Sequence, residues 1–134
     1  MKKLSILLSF MLLCLTTNSE NTIQLSSSYI ISVEKDSKID LSGNFPSTGA
    51  RSALEPIILI QHLVSLEAAF SYNLGMITIE IRNENNSIIY HDIIDTNHQK
   101  YYEISLFEYK SGSYHIEFTN SQGQYVQGTF EIEK

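Results

Sequence analysis

The stretch LGMITIEIRNENNSIIYHD, residues 74–92, alternates apolar and polar side chains through most of its first half. Ile77, Ile79 and Ile81 fall on one face of an extended chain, and Thr78, Glu80 and Arg82 on the other. That is the pattern of a strand with one side buried. Asn83, Asn85 and Asn86 come next, and asparagine tolerates the positive φ that tight turns require. SIIYHDIID then resumes the strand pattern, so the segment predicts a β-hairpin. Its second strand carries His91 and Asp92, with Asp95 and His98 close behind. Whether that cluster is chemistry or decoration is the first functional question.

The same period of two continues toward the C-terminus. YYEISLF predicts a strand over Tyr101–Phe107, and YHIEFTN points Tyr114, Ile116 and Phe118 inward with His115 and Glu117 outward. A Ser-Gln-Gly turn at 121–123 leads into QYVQGTFEIEK, where Val126, Gly128, Phe130 and Ile132 share one face. Toward the N-terminus, Tyr29–Glu34 and Lys38–Ser42 read as short strands, and residues 43–56, rich in turn formers, as a loop. Strands spaced about 8–12 residues apart, with no convincing helix after residue 70, predict an all-β sandwich or barrel. Burial of one face in each strand predicts antiparallel sheets.

IILIQHLVSLEAAF, residues 57–70, supports two readings. Ser52-x-x-Glu55 resembles a capping box and Pro56 suits a first helical turn, which favours a helix. The β-branched run Ile57–Gln61 and the looser alternation Val64–Phe70 favour two strands. Pattern alone leaves both open.

The first residues, MKKLSILLSFMLLCLTTNSE, place a basic pair, Lys2 and Lys3, before an apolar run from Leu4 to Leu15. This predicts a secretory signal peptide over 1–19, cut after Ser19. The run falls short of the roughly 20 apolar residues of a membrane span. Residues 20–37 then form a polar leader and 38–134 the folded domain. Cys14 raises the alternative of a lipid anchor, but Leu13 stands where a lipobox requires a small residue. Once the signal is removed the chain has no cysteine, which excludes disulfides, thiolate catalysis and Cys-based zinc sites. Loss of Lys2 and Lys3 takes the formal charge from −6 to −8. An acidic surface argues against nucleic acid or an anionic membrane as partner.

A His91/Asp95/His98 metal site can be drawn, but i to i+4 on a strand spans about 13 Å, too far for one ion. The expectation is no metal. There is no Gly-x-Ser-x-Gly elbow, no phosphate-binding glycine loop and no dinucleotide fingerprint, so no catalytic residue and no cofactor are assigned. Among the eight tyrosines, Tyr101 and Tyr109 are the candidates for a glycan platform, since adjacent strand tyrosines face opposite ways. Gly112-Ser113-Tyr114 resembles the corner of immunoglobulin-type sandwiches, where a tyrosine hydroxyl bonds back to the backbone. In RSALEP, Arg51 and Glu55 are expected to pin the leader to the sandwich.

IDLSGNF, RSALEP, LGMITIEIRNENNSIIY, SGSYHIEFTNSQGQY and GTFEI, taken in order, resemble a family of small exported Bacteroidetes domains of unknown function with an immunoglobulin-like β-sandwich. The likeness runs from about Ile39 to Ile132. It implies an immunoglobulin-like antiparallel sandwich of about seven to eight strands, and it implies strands rather than a helix for residues 57–70, although QHLVS is a poor turn. The second half is also similar to the C-terminal sorting domain of type IX secretion, but here only a short leader precedes it and the basic ending is replaced by Glu131-Ile132-Glu133-Lys134. Neither resemblance supplies site residues. The functional expectation is an exported, non-catalytic module in the periplasm, at the cell surface or secreted. Its expected ligand is a protein of the envelope, met through an open strand edge, with glycan binding through tyrosines as the alternative.

Overall fold

Nine strands form in the computed structural model, which describes residues 36–46 and 54–134, all within one compact unit. They are β1 (Ser37–Ile39), β2 (Ser42–Gly43), β3 (Ile57–Gln61), β4 (Ser65–Phe70), β5 (Met76–Asn83), β6 (Ile88–Asp95), β7 (Tyr101–Ser105), β8 (Gly112–Asn120) and β9 (Tyr125–Ile132). One sheet has the order β1-β3-β4-β7 and the other β2-β9-β8-β5-β6, with every pairing antiparallel. Hairpins join β3 to β4, β5 to β6 and β8 to β9, while the chain changes sheet between β4 and β5, β6 and β7, and β7 and β8. The result is a two-layer sandwich.

The alternation seen in the sequence is what builds the core. Ile77, Ile79 and Ile81 of β5 and Ile116 and Phe118 of β8 are fully buried. They face Leu59, Leu66, Ala68 and Ile104 of the opposite sheet across the sandwich. Phe70 meets Phe118 edge to face, with ring centroids 6.4 Å apart. Each isoleucine, leucine or phenylalanine among them contributes about 1.5–3 kcal/mol by leaving water. No buried side-chain polar atom lacks a partner among the described residues.

Residues 57–70 form β3 and β4. His62 N–H bonds the Ser65 carbonyl to close the turn, and Leu63 and Val64 stand exposed at its tip. A helix would have buried only part of this apolar run, whereas two strands place Ile57, Leu59, Leu66, Ala68 and Phe70 on one inner face.

The strand expected over 38–42 breaks in two, giving nine strands in place of seven to eight. β1 pairs with β3 in the first sheet, and β2 with β9 in the second. This strap closes one flank of the sandwich, and it passes so near β9 that two glycines are needed. A Cβ on Gly128 would lie 2.9 Å from both Asp40 O and Leu41 Cδ2, and one on Gly43 would overlap the Tyr125 backbone. The expected strand Tyr29–Glu34 and Arg51 lie outside the described residues.

Candidate functional site

The flank opposite the strap is bounded by two edge strands, β6 and β7, and they differ. Along β7 the bonds Phe70 N–H to Lys100 O (2.9 Å) and Leu106 N–H to Val64 O (2.7 Å) bracket its pairing with β4. Antiparallel ladders alternate, so within that bracket Tyr102 and Ile104 bond β4 while Tyr101, Glu103 and Ser105 turn their N–H and C=O groups outward. No other described strand pairs with them. The side chains of those three residues also lie on the outer face, with Tyr101 68% exposed.

Edge β6 is blunted in part by its own residues. Its register slips at Ile81/Arg82, leaving Ile89 as a bulge, which twists an edge away from further pairing. Asp92 pairs with buried Ile79 and so projects to the inner side. There its Oδ1 accepts from Ile93 N–H at 2.8 Å, capping one of the edge's own outward donors. Its Oδ2 accepts from the Tyr102 hydroxyl of β7. Since Tyr102 has a single proton to give, Tyr90 donates to Tyr102 in turn, at 2.5 Å. The chain Tyr90–Tyr102–Asp92 therefore ties the two sheets together at the flank. Tyr102's hydroxyl, and next the Ile93 amide, hold the Asp92 carboxyl below the usual carboxylate range. Burial, followed by the bonds to Asp92 and Tyr90, pushes the Tyr102 phenol well above its ordinary value.

That geometry answers the question raised by His91-Asp92. The two side chains leave opposite faces of β6: His91 lies across from Glu80 on the solvent side, and Asp92 is a structural acceptor. Asp95 accepts from Asn97 N–H at 2.9 Å and bonds His98 at 2.8 Å inside the following turn, well separated from His91 along the strand. The backbone bond, then the histidine, lowers the Asp95 pKa. Among the described residues no three His, Cys, Asp or Glu side chains gather as metal ligands, and no helix is long and apolar enough to cross a membrane.

Tyr101 stands in the row Ile58–Ala69–Tyr101 on the outer face, and the next row places Glu67 directly opposite Glu103. A shallow hollow of about 400 Å³ lies among Tyr101, Tyr102 and these two carboxylates. Tyr109 borders a second hollow, of about 470 Å³, with Tyr90, Ile89, Phe107, Glu103 and Glu108. One face of its ring is already taken, stacked on Tyr114 at 5.7 Å, and burial raises its pKa. Tyr114 stacks on Phe130 at 5.5 Å and its hydroxyl donates to Lys110 O at 2.7 Å, bridging the corner between β7 and β8. Glu55 pairs with Lys38 at 2.6 Å, so its ionic partner belongs to β1.

Two residues carry more than their sequence context announced. Asp92 gives no sequence signal of its role, because that role depends on Tyr102, ten positions away and in the other sheet. Thr96, fully buried, accepts from Leu74 N–H at 2.8 Å and donates to Gly75 O at 2.9 Å, stitching the entry of β5 to the end of β6. Its place in a polar Asp-Thr-Asn run gave no signal of this.

Comparison with known families and structures bears on the fold. The family model of DUF3244, described as a domain of unknown function, matches residues 38–132. The chain is also similar to a solved DUF3244 family protein with an immunoglobulin-like β-sandwich fold from Bacteroides vulgatus. That match has a TM-score of 0.64 at 19% identity and covers 74% of this chain and 100% of the other. Comparison with curated proteins gave no significant match.

Proposed function

The chain belongs to the DUF3244 family of domains of unknown function, and from that premise we propose that it is an exported, non-catalytic immunoglobulin-like module that binds a protein partner in the bacterial envelope. The signal peptide over 1–19 delivers it, and the partner docks by adding a strand to β7. The observation that carries this reading is the contrast between the two edges. β6 is bulged at Ile89 and has its outward Ile93 N–H capped by Asp92, while β7 leaves the N–H and C=O groups of Tyr101, Glu103 and Ser105 open along an unbroken register. An open edge is the template on which strand addition works, with backbone bonds giving affinity and flanking hollows giving selectivity.

Proline at position 105 separates this reading from simple surface stickiness. Its ring replaces an outward N–H that β4 does not use, so the sheet tolerates it while an added strand loses its bond and its space. Mature protein is used to capture partners from envelope extract. A specific partner should be retained by Ser105→Ala and lost by Ser105→Pro, both variants melting close to the wild type. Retention by Ser105→Pro would refute docking at β7.

A glycan reading has its own support, because Tyr101 is exposed beside Glu67 and Glu103, an arrangement in which a ring face and carboxylates meet sugar faces and hydroxyls. A glycan-array signal abolished by Tyr101→Ala but unchanged by Ser105→Pro would replace strand addition with sugar binding.

A further inference from the structure

We propose that the strand accepted by β7 is basic, with a lysine or arginine seated opposite Glu103; this rests on the strand-addition reading above. Glu67 and Glu103 are direct cross-strand neighbours on the outer face, an arrangement that destabilises a sheet by repulsion. The other end of that row is Lys38, but it is engaged by Glu55. Glu67 has His62 Nε2 at 3.6 Å, while the other nitrogen of that ring is held by Asp36 at 2.7 Å. Glu103 has no ion-pair partner among the described residues. A cation on an added strand would stand about 5 Å from Glu103 and about 10 Å from Glu67, close enough to relieve both carboxylates.

The surroundings fix the register. Lys100 precedes the strand, and at its far end Lys134 Nζ donates to Phe107 O at 2.6 Å and lies 6.0 Å from the Phe107 ring centre. The edge thus has Lys100 at one end, Lys134 beside Glu108 at the other and the like-charged pair Glu67–Glu103 at its middle, so the middle is where a partner's cation relieves the closest repulsion. Beside it, Tyr101 offers an exposed ring along which the aliphatic stem or charged head of that residue can lie. A second copy of this chain is the wrong occupant. Antiparallel self-pairing about Glu103 sets the two Glu103 side chains opposite each other and extends the row to four carboxylates. The chain's net charge of −6 works in the same direction.

The test titrates the mature protein with a short synthetic peptide alternating lysine and threonine, and with the same peptide carrying glutamate for lysine, followed by backbone amide NMR. The lysine peptide should shift β7 amides, bind more weakly as salt is added and lose up to ~5-fold in affinity in Glu103→Gln. It should lose at least ~10-fold in Ser105→Pro, which keeps every charge. Equal binding of the glutamate peptide, or full binding to Ser105→Pro, would overturn the proposal. If neither peptide binds while an envelope partner is still lost in Ser105→Pro, strand addition stands and the basic partner falls. A concentration-dependent dimer abolished by Ser105→Pro would assign the edge to a second copy instead.

Discussion

At the scale of single residues, Asp92 shows how a charge on an edge strand can be structural. Its carboxylate accepts from Tyr102 and from Ile93 N–H, so the folded state favours the ionised form and lowers its pKa. A lowered folded pKa adds stability above the unfolded value, about 3.9, and that stability is lost as pH falls through the folded value. Thermal unfolding from pH 7 to pH 2 should therefore show a steeper acid loss in the wild type than in Asp92→Asn. At neutral pH the variant should be less stable by about 1 kcal/mol, the order of a solvent-screened bond to a charged group. Identical acid limbs would remove Asp92 from the account. The role could not be read from the sequence, because alternation assigns a residue to a face but does not say which strand of the other sheet lies across from it. Thr96 was hidden for a similar reason, its partners being the backbone of the loop before β5.

Among the strands, legibility followed the strength of the period. β5, β8 and β9 alternate cleanly over eight or nine residues, and local pattern was enough to find them; β6 was found as the return strand after the Asn-rich turn, although its bulge at Ile89 breaks the period. Residues 57–70 were ambiguous because β3 and β4 are joined through His62, Leu63 and Val64, two of them exposed apolar residues in a position where polar turn formers normally punctuate the chain. The break between β1 and β2 was invisible, since what imposes it is the switch of partner from β3 to β9. Gly128 was legible only as one position of a buried face; its purpose is to let the strap pass. Gly128→Ala should overpack that crossing and cost about 1–3 kcal/mol, with faster amide exchange concentrated in β1, β2 and β9. A thermal midpoint equal to the wild type would mean that the strap has slack the geometry does not show.

Across the whole molecule, the two flanks have been finished differently. The strap covers one; the other is tied internally by Tyr90, Tyr102 and Asp92 and blunted on β6, yet left open along β7. The immunoglobulin-like sandwich explains the core, but function must be argued from this asymmetry, because the fold alone hosts many roles. Hydrogen exchange of the isolated chain over residues 20–134, resolved by amide, tests the open edge without any assumption about the partner. The account predicts that Tyr102 and Ile104, bonded to β4, exchange slowly while Tyr101, Glu103 and Ser105 exchange quickly. Slow exchange at all five would mean that the β7 edge is already covered, and the proposed docking strand would be contradicted.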